Sequence, residues 1–83
     1  MKSVPMSLDV RGQTGEEAIM NIDLYLDEAM IAHYNEVTII HGKGTGALRA
    51  AVTDFLRRRP NIKSFRTGRY GEGEQGVTIV ELK

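Results

Sequence analysis

One stretch decides the fold: Val-Thr-Ile-Ile-His-Gly-Lys-Gly-Thr-Gly, at residues 37–46. Its first four residues all carry β-branched side chains, which predicts a buried strand. The three glycines that follow predict a tight turn. Residues 47–56 then place apolar side chains at helical spacing, which predicts a helix with Thr45 as its N-cap. A strand that passes through a glycine turn into a helix is typical of an α/β domain.

Upstream of this stretch, a strand and a helix are predicted. Residues 6–10 alternate apolar and polar side chains, as a short strand does, and Gly12 ends them. Thr14 and Glu17 have the spacing of a capping box, so a helix should begin there and run to about His33.

Downstream, Pro60 ends the second helix just past the triple arginine at residues 57–59. Residues 62–67 and 77–82 are predicted strands, separated by a polar, glycine-rich loop. The resulting order is β-α-β-α-β-β. Because crossover connections are right-handed, we expect parallel first strands, a terminal antiparallel hairpin and two helices covering a mixed four-stranded sheet. This is an α/β fold of the two-layer sandwich type.

Composition narrows the class of protein. Eighty-three residues suffice for one domain, which we assign to residues 6–83 after an N-terminal tail at residues 1–5. The absence of cysteine excludes a disulfide scaffold and a thiolate zinc site. The apolar stretches are too short for a membrane span, and the first residues lack the centre of a secretory signal. We therefore expect a cytoplasmic domain without a membrane partner.

The charges are segregated although the net charge is zero. Residues 43–69 hold one acid, Asp54, and eight basic residues. Such a stretch favours a polyanionic partner, and a solubilising surface is the alternative. We predict nucleic-acid contacts from the basic residues that lie in the second helix or follow it in the sequence: Arg49, Arg57, Arg58, Arg59, Lys63, Arg66 and Arg69.

Two glycine-containing turns carry the residues suited to chemistry. Asp-Val-Arg-Gly at residues 9–12 follows the first strand, and residues 41–46 follow the second. If these strands are parallel, both turns emerge at one edge of the sheet, where open α/β sheets bind ligands.

The second turn is predicted to bind phosphate. Its glycines allow close approach of backbone N–H groups, the following helix offers its positive dipole end, and Lys43 adds a full charge. The predicted phosphate-binding residues are Gly42, Lys43, Gly44, Thr45 and Gly46. The alternative is a turn that needs glycine for its geometry alone. The spacing is not that of a Walker A loop, so we expect no bound nucleotide.

Three residues are candidates for catalysis. His41 ordinarily titrates near neutrality and suits proton transfer, or its ring simply hydrogen-bonds across the strand end. Asp9 is suited to orient His41, act as a base or bind a metal, or else it accepts backbone hydrogen bonds. Arg11 is suited to clamp a phosphate, or else it pairs with Asp9. Two-metal nucleases need several converging carboxylates, so a single metal ion or none is favoured.

Three motifs together resemble the Smr (small MutS-related) domain family: Leu-Asp-Val-Arg-Gly at residues 8–12, the turn at residues 41–46, and Gly-Val-Thr-Ile-Val-Glu-Leu at residues 76–82. The resemblance covers residues 7–82 in order and spacing. It is strongest to the C-terminal domain of the second type of bacterial MutS-like protein. The loop at residues 71–76 departs from the family by lacking an adjacent glycine pair.

The resemblance implies a fold like the C-terminal domain of translation initiation factor three. It implies an endonuclease that nicks DNA or, in some members, cleaves RNA. From the residues alone, a divalent metal ion such as magnesium or manganese stays an open question, with Asp9 as its ligand if one is bound. The parent protein would supply an ATPase and a homodimerising region, and would act in suppressing recombination or in rescuing collided ribosomes. A non-catalytic module that docks on RNA or the ribosome is the alternative. A protein-interaction domain finds no support, because no exposed apolar stripe is evident in the sequence.

Overall fold

A computed structural model of the chain describes residues 3–83. Its elements are strand β1 (Ser7–Asp9), helix α1 (Gly15–Ile31), strand β2 (Glu36–Ile40), helix α2 (Ala47–Arg58), strand β3 (Ile62–Thr67), a 3-10 turn (Glu74–Gly76) and strand β4 (Val77–Leu82). The order β-α-β-α-β-β predicted from the sequence is confirmed.

The four strands form one mixed sheet in the order β1-β2-β4-β3. Strand β1 is parallel to β2, whereas β4 runs antiparallel to both of its neighbours. One edge of the sheet therefore collects the ends of β1, β2 and β3 and the start of β4. We call this edge the rim, marked by Asp9, Ile40, Thr67 and Val77.

A single core lies between the helices and one face of the sheet. Residues paired across the sheet, such as Val37 and Val80, point to the same side and join the buried helix residues. The fully buried members include Ile22, Leu26, Val52, Leu56, Val37, Ile39 and Val80. The two-layer sandwich expected from the sequence is thus confirmed.

The two helices begin differently. Helix α1 has the predicted capping box: Glu17 N donates to Thr14 Oγ1 at 3.2 Å, and Thr14 N donates to Glu17 Oε1 at 3.1 Å. For α2 the predicted N-cap, Thr45, is wrong, because the cap is Gly46 at φ +87°. The turn enters the helix through a left-handed conformation that glycine adopts without strain. Thr45 Oγ1 instead accepts a hydrogen bond from Ala47 N at 3.3 Å.

The segment before β1 is tied to α1. The hydroxyl of Tyr25 donates to the carbonyl oxygen of Pro5 at 2.6 Å, and the hydroxyl of Tyr34 donates to that of Val4. Burial raises the pKa of Tyr25 to about 12. Of the predicted tail at residues 1–5, residues 1 and 2 lie outside the described part of the chain, and Val4 packs against the core.

Helix α1 exposes an apolar stripe. The exposed fractions are 66% for Met20, 59% for Leu24 and 79% for Ile31. Steps of four and seven residues place these side chains on one side of the helix. The expectation of no exposed apolar stripe is therefore wrong, since the sequence pattern drew attention to the core positions alone. Neither helix within residues 3–83 is long and apolar enough to cross a membrane.

Candidate functional site

The two predicted turns meet at the rim. Val10 N donates to the carbonyl oxygen of Ile40 at 2.8 Å, which joins the ends of β1 and β2. Gly42 lies directly under the side chain of Arg11: a β-carbon at Gly42 would be 3.3 Å from Arg11 Cγ. The expectation that these turns share one edge of the sheet is confirmed.

Asp9 and Arg11 form an ion pair at this edge. The guanidinium donates from Nη2 to Asp9 Oδ2 at 2.6 Å and from Nε to both carboxylate oxygens at 3.0 and 3.1 Å. Arg11 N also donates to Asp9 Oδ1 at 3.0 Å. These side-chain and backbone hydrogen bonds lower the pKa of Asp9 from 3.8 to about 2, and the pKa of Arg11 is raised by the same contact. The carboxylate is ionised at neutral pH, and both groups remain largely exposed.

His41 is buried behind the turn, with a 5% exposed fraction. Its Nδ1 lies 2.9 Å from the carbonyl oxygen of Gly42, and its Nε2 lies 2.9 Å from Thr78 Oγ1. Because a carbonyl oxygen only accepts, Nδ1 carries the proton, and in the neutral ring Nε2 accepts from the Thr78 hydroxyl. Both ring nitrogens are therefore occupied within the protein, which is the alternative that sequence reasoning left open for this residue.

The backbone of the turn is fastened to β4. His41 N and Gly42 N both donate to the carbonyl oxygen of Gly76, at 3.1 and 2.9 Å. The stem of Lys43 covers Gly76, where a β-carbon would be 3.7 Å from Lys43 Cγ. Sequence reasoning did not name Gly76 or Thr78 as site residues. Their motif was visible, but nothing in it shows that β4 pairs with β2.

A pocket of about 360 Å³ opens at the start of α2. Residues 41–49 line it together with Gln13 and Gly15. The first backbone N–H groups of a helix lack intrahelical acceptors and carry the positive end of its dipole. Helix α1 carries two acids in its first turn, Glu16 and Glu17, whereas the first turn of α2 contains no acid. With Lys43 exposed beside it, the pocket suits an anion.

One predicted nucleic-acid-binding residue is engaged inside the protein. The Arg59 side chain is 8% exposed and binds Asp23 at 2.9 Å and Asp27 at 2.6 Å. It ties the end of α2 to α1, so little of its surface is left for a ligand.

The other predicted basic residues do not form one surface. Arg58 pairs with Asp54 at 2.6 Å, and Arg66 pairs with Glu72 at 2.8 Å. Lys63 lies at the edge opposite the rim, in a hollow that it shares with Glu36 and Glu81. Of the remaining predicted residues, Arg49 lies in the first turn of α2 and Arg69 follows the end of β3, both near the rim, whereas Arg57 lies in the last turn of α2.

The donor set does not fit a metal held by several protein ligands. Among residues 3–83, no three His, Asp or Glu side chains converge as metal ligands would. Asp9, the predicted ligand, already binds Arg11.

The fold and the residues at the rim are those of a known domain family. The profile of the Smr domain matches residues 8–83. The chain belongs to the Smr domain family. It is similar to the proteins named endonuclease MutS2 of Caldicellulosiruptor bescii (63% identity over 99% of this chain) and Clostridium novyi (58% over 100%). It spans only 10% and 11% of the lengths of those relatives.

Two solved structures share the fold. The crystal structure of the Smr domain of Thermus thermophilus MutS2 superposes with a TM-score of 0.92 at 42% identity, covering 95% of this chain and 99% of that one. YdaL, a stand-alone small MutS-related protein from Escherichia coli, superposes with a TM-score of 0.88 at 25% identity, covering 94% and 64%. The resemblance inferred from the three motifs is confirmed, and the chain is homologous to the Smr part of MutS2.

Proposed function

We propose that this domain is an endonuclease that binds DNA or RNA at the rim and hydrolyses a phosphodiester bond. One observation carries the proposal: Lys43 and the start of α2 line one exposed pocket, and the side chain of Arg11 lies against Gly42, which lines the same pocket. Three sources of positive potential at one place favour a phosphate. The name endonuclease MutS2 carried by the relatives supports cleavage of nucleic acid rather than binding of a free anion.

Each group has a distinct part in binding. The backbone N–H groups at the start of α2 take one phosphate oxygen, and Lys43 supplies a mobile point charge. Arg11 presents its planar fork, which binds two oxygens at once and stabilises charge that develops on phosphorus.

The Asp9–Arg11 pair suggests how a base becomes active. A phosphate that binds Arg11 competes with Asp9 for the guanidinium, so the pKa of the carboxyl rises from about 2 towards its ordinary value. Asp9 then accepts a proton from the attacking water as the water oxygen bonds to phosphorus. The bond from phosphorus to one sugar oxygen breaks, and that oxygen takes a proton from solvent.

His41 acts in this proposal by holding the turn. Its bonds to Gly42 and Thr78 set the direction of the turn that carries Lys43. Proton transfer through His41, the other role open to it, requires one of these bonds to break first. The variant His41→Gln separates the holding role from proton transfer. Its amide keeps the capacity to hydrogen-bond but cannot shuttle a proton near neutral pH.

The test is cleavage of supercoiled plasmid and of single-stranded RNA, each with magnesium, with manganese and with a chelator. Asp9→Asn, Arg11→Ala and Lys43→Ala should each lose cleavage, and Arg58→Ala is the matched control because its partner Asp54 lies on the same helix. Equal cleavage by wild type and all three rim variants would refute the assignment.

A non-catalytic docking module is the second candidate. The engagement of Asp9 by Arg11, and of both His41 nitrogens, favours it, since no proton-transfer group stands ready. In that case the wild type binds RNA with a strong salt dependence and cleaves neither substrate under any condition tested.

For a longer protein of the MutS2 type, we propose that this domain delivers its activity beside an ATPase in a cytoplasmic homodimer. The resemblance supports suppression of recombination or rescue of collided ribosomes as the setting. Nicking of branched DNA and association with stalled ribosomes, each measured with Lys43→Ala in the full-length protein, would distinguish the two.

A further inference from the structure

A second hollow lies along the side of α2, next to the pocket at the start of that helix, which we call the rim pocket. It has a volume of about 440 Å³ and lies between α2 and the edge strand β3. Gly46 and Arg49 line both the rim pocket and this hollow, so the two adjoin. We call it the α2–β3 groove. It is lined by Gly46, Arg49, Ala50, Thr53, Arg57, Phe65, Arg66 and Thr67.

The groove is cationic along one wall. Arg49 stands at the end near the rim, where its Nη2 donates to Thr67 Oγ1 at 2.8 Å across the groove. Arg57 stands at the far end, 69% exposed and 3.9 Å from its nearest carboxylate oxygen, on Asp54. None of the lining residues is acidic. Arg66 lends little charge, because its guanidinium binds Glu72.

The dimensions fit one strand of nucleic acid. Arg49 and Arg57 are eight residues apart on one helix, which is about 12 Å along its axis. Stacked nucleotides of one strand advance about 3.4 Å each, so this span covers roughly three to four of them. A positively charged groove that follows the backbone is the form in which proteins commonly hold a single strand.

We propose that the α2–β3 groove binds the sugar-phosphate backbone of a single strand that leaves the rim pocket, with Arg49 and Arg57 on separate phosphates. The proposal rests on the proposed function in one respect, that the rim pocket holds a phosphate of the same strand. Phosphodiester is common to DNA and RNA, so the groove itself does not choose between them.

The test is binding of a dinucleotide and of a longer oligonucleotide, both with phosphorothioate linkages that slow cleavage, over a range of salt. Arg57→Ala should weaken binding of the longer strand about tenfold, as loss of a charged hydrogen bond does. It should reduce the slope of log K against log salt by about 0.7, the value for one phosphate of a single strand. Binding of the dinucleotide should not change. Arg49→Ala should weaken both ligands, because Arg49 lines both sites.

Arg58→Ala is the matched control: it removes the same charge from the adjacent position, which does not line the groove. Equal weakening by Arg57→Ala and Arg58→Ala, or no weakening by Arg57→Ala, overturns the proposal. So does a duplex that binds as tightly as the single strand with the same dependence on Arg57. The effect of Arg57→Ala should be the same for DNA and RNA, and an effect on one alone overturns a contact through the backbone.

Cleavage measured in parallel separates this proposal from the first one. If Arg57→Ala weakens binding of the longer oligonucleotide alone and the wild type cleaves neither substrate, the groove proposal is supported and the endonuclease proposal is refuted. If the wild type cleaves but Arg57→Ala binds the oligonucleotides as Arg58→Ala does, the endonuclease proposal is supported and the groove proposal is refuted.

Discussion

The imidazole of His41 and the hydroxyl of Thr78 are joined by a buried hydrogen bond of 2.9 Å. It connects the turn after β2 to the strand that follows the last loop, across 37 positions of sequence. With the bond from His41 Nδ1 to Gly42, it makes the histidine a strut between the turn at residues 41–46 and the sheet.

This strut gives the first prediction. Thr78→Val keeps the shape of the side chain but leaves His41 Nε2 buried without its partner, so unfolding should cost about 1–3 kcal/mol less than in the wild type. Thr78→Ser keeps the hydroxyl, so its free energy of unfolding should fall less than that of Thr78→Val. Denaturant unfolding measures both, and equal stability of the valine variant and the wild type would contradict the strut.

The second prediction concerns the pH dependence of the Asp9–Arg11 pair. The folded pKa of Asp9 is lowered to about 2, so the pair's stabilisation is present above the ordinary value of 3.8 and is lost as pH falls through about 2. NMR titration of the Asp9 carboxyl carbon should therefore give a midpoint near the lowered value. In Arg11→Ala the midpoint should move up towards 3.8, because the side-chain hydrogen bonds from Arg11 contribute most to lowering the pKa of Asp9. An unmoved midpoint would show that Arg11 does not set it.

The third prediction compares two glycines of the turn at residues 41–46. Gly42 (φ +78°) and Gly44 (φ +37°) both adopt left-handed conformations, so alanine at either should cost about 1–2 kcal/mol of stability. Only at Gly42 would the new β-carbon press on Arg11, at 3.3 Å. A β-carbon at Gly44 would have no heavy atom of the described residues within 4 Å, its two neighbours in the chain aside.

Oligonucleotide binding should therefore fall more in Gly42→Ala than in Gly44→Ala at equal stability. The measurement is affinity at a temperature where denaturant curves show both variants fully folded. Equal affinities would mean that the contact of Gly42 with Arg11 plays no part in binding.

The fourth prediction separates two adjacent arginines. Arg59→Ala removes two short contacts to α1, with Asp23 and Asp27, and should lower the free energy of unfolding by about 1–3 kcal/mol. Arg58→Ala removes an exposed pair with Asp54 within one helix, and should change it by about 0.5 kcal/mol or less. Thermal and denaturant unfolding of the two variants side by side check the difference, and a reversed order would refute the structural role of Arg59.

Sequence alone determined the elements and one key relationship between them. Periodicity, the capping box at Thr14 and the glycine turns are local signals, so strands and helices were predicted nearly to their ends. The helix between β1 and β2 is typical of a crossover between parallel strands, and parallel pairing was enough to bring Arg11 and Gly42 to one rim.

Tertiary structure alone decided what each of those residues touches. Insertion of β4 between β2 and β3 is a non-local pairing, and it placed Thr78 against His41. Arg58 and Arg59 are identical in kind and adjacent in sequence, yet one points to water and the other is held between two aspartates of α1. The direction of a side chain around a helix and the partner it meets depend on how helices pack, and that packing is fixed by the whole core rather than by neighbours in the chain.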